Sequence, residues 1–209
     1  MRKGSFAGIV VAVVLAVGLA GCGGSSKGKA SASGVSCTAA GQPGATAAIS
    51  VSIGGTGAGC IVIALDTKNA PKAAGRFISL AKSRFYDGLT FHRAVPNFVI
   101  QAGDPNGDGS GGSGKPPVLG EVPKDGYPIG SLAAAKTATD PDGTFDSQFF
   151  IITGAQGQAL PHDYTDFAHV TSGLDVVTKL LALKVDGNGD PKGLPSQKAT
   201  IDKVTISVS

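Results

Sequence analysis

What most limits the fold of this chain is its punctuation. Beyond the first twenty or so residues the apolar runs are short, and clusters of Gly, Pro, Asp and Asn interrupt them throughout, with 32 glycines in all. Runs of that length suit strands joined by turns better than helices. The segment Ala48–Ile53 alternates, Cys60–Leu65 is a short apolar run, and the glycines from Gly54 to Gly59 between them predict a hairpin with a loose turn. Ala199–Val208 supplies a last strand. Only two stretches carry helical spacing. Over Asn69–Lys82, Ala73, Phe77, Leu80 and Ala81 share a face, with Asn69 and Pro71 suited to the entry. Over Leu174–Leu183, Val176, Val177, Leu180 and Leu181 do the same. Many short strands, two helices and no βαβ rhythm predict a mainly β architecture, a small barrel with capping helices.

The chain opens differently. Arg2 and Lys3 precede an uncharged apolar stretch from Phe6 to Ala20, and small residues follow, the three parts of an export leader over residues 1–21. Leu19-Ala20-Gly21-Cys22 resembles a bacterial lipobox. That resemblance implies cleavage before Cys22 and acylation there (palmitate among the acyl chains); a plain secretory leader is the alternative. Two or three chains anchor stably where one is marginal. Residues 22–46, rich in Gly, Ser and Ala, read as a tether, and 47–209 as the folded domain. The expected location is extracytoplasmic, on the bacterial membrane. In that compartment Cys37 and Cys60 are expected to form a disulfide, the alternative being two separate buried thiols. The net charge of +3 loses Arg2 and Lys3 with the leader, leaving +1 without a basic cluster, which gives no reason to expect nucleic acid as partner.

The most specific signal lies in the middle. Phe91-His92-Arg93 stands shortly before Phe98-Val99-Ile100-Gln101-Ala102-Gly103-Asp104. Further blocks follow at Gly109–Gly112, Gly130–Thr137, Ser147–Ile151 and Leu160–Val170, so that the likeness runs from about Ile49 to Val208. In this order the blocks resemble the cyclophilin-type peptidyl-prolyl cis/trans isomerases. The resemblance implies a closed antiparallel β-barrel of about eight strands with two capping helices. It also implies a monomer that takes proline-containing peptides and unfolded exported proteins, touches the membrane through its lipid alone and needs no cofactor.

By the same resemblance Arg93, Phe98 and Gln101 are the catalytic residues. Val99, Phe150 and Leu160 join Phe98 in gripping the proline ring, and Gln101 helps hold Arg93. Ala135, Lys136 and Thr137 bind the residues before proline, with Gln148 and Gly109 nearby, while His92 and Tyr164 line the rim. The chain departs from the pattern in having no Trp, with Ala159 or Leu160 where many eukaryotic cyclophilins carry one, which weakens the expectation of cyclosporin binding. Its segment from Ala138 to Asp146 is longer than usual. A proline-binding module without turnover is the alternative function, disfavoured because the charge donor Arg93 is retained.

Other motifs fail on inspection. Gly109–Gly114 matches a dinucleotide fingerprint, but Pro116-Pro117 prevents a helix from opening there. The run from Asp104 begins like a calcium loop but ends on Lys115, and the one from Asp186 has Pro191 in place of the turn glycine. His92, His162 and His169 do not form a metal-ligand set, and no metal is expected.

Overall fold

The computed structural model describes residues 37–38, 44–183 and 193–209. The leader, Cys22, most of the tether and the 186–191 run lie outside the described residues.

Ten strands and three helices make up the described fold. They are β1 (Ala45–Ile53), β2 (Thr56–Leu65), α1 (Pro71–Lys82), β3 (Arg93–Val95), β4 (Val99–Ala102), β5 (Val118–Leu119), β6 (Ser131–Ala134), β7 (Thr144–Phe145), β8 (Phe149–Ile152), α2 (Ala155–Gln158), β9 (Asp166–Ser172), α3 (Leu174–Leu181) and β10 (Ala199–Val208). Eight strands form one antiparallel sheet in the order β10-β1-β2-β9-β6-β8-β4-β3, and β5 pairs with β7 in a small second sheet. The large sheet curls until its ends approach. Residues 88–91, just ahead of β3, bridge the gap: Gly88 N and Phe91 N donate to Ile201 O and Ala199 O, and Ile201 N donates to Leu89 O, at 2.7, 3.0 and 2.8 Å. The fold is thus mainly β and barrel-like, as the short runs predict.

Two local expectations need correction. The glycines between the first two strands do not form a loose loop. Gly54 and Gly55, at φ 58° and 81°, make a two-residue turn, and Thr56 already belongs to β2. Two consecutive positive φ values match the twist of a tight hairpin, and glycine adopts them without strain. Among the described residues there are three helices, because a single turn, α2, follows β8. Its Ala155 N–H is capped by Asn97 Oδ1 at 2.9 Å, a partner 58 residues earlier that no local pattern reveals.

The interior follows from alternation. Ile100, Ala102, Phe149 and Ile151 point inward and join Phe77 of α1, Tyr86, Phe145 and Phe167 in one buried core. Phe77 sits at the centre of that core, with ring centroids 4.9, 5.7 and 5.4 Å from Tyr86, Phe149 and Phe167. Pro suits the start of α1, and five buried residues on one face pack the helix against the core. Cys37 and Cys60 are joined by a disulfide, and Cys37 packs on Ala48 and Val62 on the outside of the wall. Among the described residues no helix is long and apolar enough to cross a membrane.

Candidate functional site

The residues that alternate with the core point outward, and there they build the site. In the β3–β4 pair Arg93 stands opposite Gln101; in β4–β8, Gln101 stands opposite Phe150; in β6–β8, Phe150 stands opposite Ala133. Directly opposed residues on antiparallel strands project from the same face. The register therefore sets Arg93, Gln101 and Phe150 in a row across the outer wall.

Around that row Val99, Tyr127, Ala133, Phe150 and Ile152 form a small apolar cluster separate from the core, with Phe98, Ala135, Leu160 and Tyr164 packed against it. They enclose a cavity of about 110 Å³ lined by Arg93, Phe98, Val99, Gln101, Ala135, Lys136, Phe150, Leu160 and Tyr164. The Phe150 and Tyr164 rings meet edge to face at 5.3 Å. At the margin, the Arg93 guanidinium lies 5.2 Å from the Phe98 ring centroid, and its Nη1 is 3.5 Å from Gln101 Oε1. Burial lowers the Arg93 pKa, yet guanidinium pKa values are so high that it stays charged. A charged donor at the edge of an apolar, ring-sized cavity can hydrogen-bond a group seated in that cavity.

Gln101 is held in turn. Its Nε2 donates to Gln148 Oε1 at 2.9 Å, and Gln148 Nε2 donates to Gly109 O and Gly111 O at 2.9 and 2.8 Å. The loop carrying those carbonyls is organised by buried Asp104, which accepts backbone N–H bonds from Asn106, Asp108, Gly109 and Gly111.

Beside the first cavity lies a second, of about 210 Å³, sharing Gln101, Ala135 and Lys136 as walls and adding Gly109, Ser110, Thr137, Asp140, Asp146 and Gln148. Every residue that the resemblance implies as catalytic or substrate-binding lines one cavity or the other, except His92. His92 is buried, and its ring nitrogens make no well-formed hydrogen bond. Burial holds its pKa below the usual imidazole value, against the opposing pull of Asp104. Its Nε2 lies 4.0 Å from where a Gly109 side chain would begin. Among the described residues no group of three or more His, Cys, Asp or Glu could hold a metal ion.

Sequence reasoning missed three participants. Tyr127 floors the apolar cluster, donating from its hydroxyl toward Pro161 O and Tyr164 O and accepting from Tyr164 N. Burial pushes its pKa up to about 12, so it remains a donor. Asp146 is held by Arg76 of α1 at 2.9 Å, and Asp140 accepts from Thr137 N and Oγ1 at 2.8 Å each.

The family profile described as "Cyclophilin type peptidyl-prolyl cis-trans isomerase/CLD" matches residues 49–206. The chain belongs to the cyclophilin-type peptidyl-prolyl cis-trans isomerases. This isomerase is 38% identical over 141 residues to a peptidyl-prolyl cis-trans isomerase of Schizosaccharomyces pombe, covering 65% of this chain and 88% of the relative. It is 31% identical over 157 residues to peptidyl-prolyl cis-trans isomerase A of Dickeya dadantii, covering 72% and 81%. A crystal structure of a Cryptosporidium parvum cyclophilin-type isomerase in the presence of the dipeptide Ala-Pro superposes with a TM-score of 0.67 at 26% identity, covering 78% of this chain and 99% of that one.

Proposed function

We propose that this isomerase acts, as a monomer, on Xaa-Pro bonds of proteins exported from the cytoplasm, and that Arg93 is its catalytic residue. The observation that carries the reading is the Arg93 guanidinium at the edge of the apolar cavity, between Phe98 and Gln101.

Rotation about a peptide C–N bond meets a barrier of about 18–20 kcal/mol. No bond is broken, so neither nucleophile nor metal is required. In the planar amide the proline nitrogen shares its lone pair with the carbonyl; in the twisted form it regains that pair and accepts a hydrogen bond. A donor aimed at the nitrogen therefore acts preferentially on the transition state. Phe98, Val99, Phe150 and Leu160 hold the ring, Gln101 steadies Arg93, and Ala135, Lys136 and Thr137 receive the residues before proline. Tyr164 closes the rim. Each 1.36 kcal/mol of preferential stabilisation is about tenfold in rate.

Export and anchoring rest on the leader and on Leu19-Ala20-Gly21-Cys22. The Cys37–Cys60 disulfide suits an oxidising, extracytoplasmic compartment. The test has two parts. The full chain should accelerate exchange in a short Xaa-Pro peptide, and the absence of acceleration by folded protein would refute the catalytic reading. Expressed in a bacterium with labelled palmitate, the chain should carry label and sediment with membranes, while Cys22→Ser should do neither. Equal behaviour of the two would refute the anchor.

A further inference from the structure

We propose that Asn97 is a positioning residue that sets the width of the proline pocket, by tying the turn that carries Phe98 to the helix that leads into Leu160. This rests on the reading of the apolar cavity as the site that grips proline. Phe98 and Leu160 both line that cavity, yet neither belongs to a strand. The register that aligns Arg93, Gln101 and Phe150 therefore does not fix them.

What joins the two is one turn. Phe98 N donates to Val95 O at 3.1 Å, with Pro96 in the second position of the turn and Asn97, at φ 61°, in the third. A type II turn demands a positive φ there, which glycine meets most easily and Asn tolerates. Asn adds what glycine could not. Its Oδ1 accepts from Ala155 N at 2.9 Å, beside two backbone bonds, Gln156 N to Asn97 O at 3.1 Å and Thr153 N to Phe98 O at 2.9 Å. The backbones lie close enough to exclude side chains: a Cβ on Gly154 would stand 2.6 Å from Asn97 Cα, and one on Gly157 would run into Phe98 O. From α2 the chain passes through Ala159 to Leu160, whose N donates to Gly157 O at 3.2 Å. The Asn97 side-chain bond is thus a tie that substitution can cut while the turn stays formed. Once it is cut, Leu160 is less firmly held against Phe98, and the cavity of about 110 Å³ fits a five-membered ring less closely.

The experiment measures kcat and KM of the full chain on an Xaa-Pro peptide and on the same peptide with pipecolate, the six-membered homologue, in place of proline. Asn97→Gly keeps the positive φ and removes the acceptor. KM for the proline peptide should rise about three- to tenfold with kcat within about twofold, the pattern of a weakened grip. The preference for proline over pipecolate should fall about three- to tenfold, since one methylene in a fitted apolar pocket is worth about tenfold or more. Asn97→Asp retains an acceptor and tolerates the same backbone, so it should behave as the parent does. Gly154→Ala provides an independent check: its backbone is extended at φ −179°, so the added methyl acts only by pushing turn and helix apart, and it should reproduce the changes of Asn97→Gly. Parent KM and parent selectivity in Asn97→Gly, or equal losses in Asn97→Asp and Asn97→Gly, would overturn the proposal while leaving the isomerase reading intact. Absence of turnover by the folded parent would overturn both.

Discussion

Arg93 and Gln101 face each other directly across the β3–β4 pair, with Nη1 3.5 Å from Oε1. Gln101 is also the only link in the described bonds between the guanidinium and the Gln148–Gly109 network. Gln101→Ala should therefore free Arg93 without removing its charge. We expect kcat to fall about tenfold, the scale of a donor misplaced by a fraction of an ångström, with KM changed less. Progress curves over a range of peptide concentrations separate the two; a purely structural role would lower stability without that split.

The disulfide closes a segment with a sequence separation of 23. Chain-entropy arguments give such a link about 3 kcal/mol. Replacing both Cys37 and Cys60 by Ser should lower Tm by about 6–12 °C, and a reductant should do the same to the parent but not to the variant. Calorimetry with and without reductant checks this.

Gly173 opens α3 at φ 92°, and a Cβ there would stand 2.1 Å from Cys60 O in β2. Both the backbone conformation and the space exclude a side chain. Gly173→Ala should cost about 2 kcal/mol or more, read from denaturant midpoints.

Asp166 is partly buried, and desolvation raises its pKa to about 6, although Ser131 Oγ donates to it at 3.0 Å. The folded state thus holds a proton that the unfolded chain releases near pH 4. Stability contributed by this group falls as pH rises from about 4 to about 6 and is lost above that. Asp166→Asn, which keeps an acceptor for Ser131, should raise stability at pH 7 by about 2 kcal/mol and flatten the dependence across that window. Urea denaturation at several pH values measures both.

The residues of the site were legible only through the order and spacing of the motif blocks. Arg93, Phe98, Val99, Gln101 and Phe150 were named by the resemblance of ordered blocks, and the strand register then sets Arg93, Gln101 and Phe150 in one row. The two main helices were legible from their apolar faces. What was not legible depends on distant pairing. The Arg76–Asp146 ion pair joins residues 70 apart, and the Asn97 cap on α2 spans 58. Tyr127 carries no local signal, and its hydroxyl is bonded to Pro161 and Tyr164, residues 34 and 37 positions later. His92 stands inside the most specific motif, yet it is buried and lines neither cavity; motif membership fixes a position in the chain without fixing whether a side chain reaches the cavity.

The most direct test of the account separates binding from rotation. NMR exchange measurements on an Xaa-Pro peptide give the affinity and the on-enzyme interconversion rate for the parent and for Arg93→Ala. If Arg93 acts on the twisted amide, interconversion should fall about 100-fold or more while Kd stays within a few-fold, because the apolar cavity that grips the ring is intact. A variant that loses affinity and interconversion in equal measure, or one that keeps the parent rate, would contradict it.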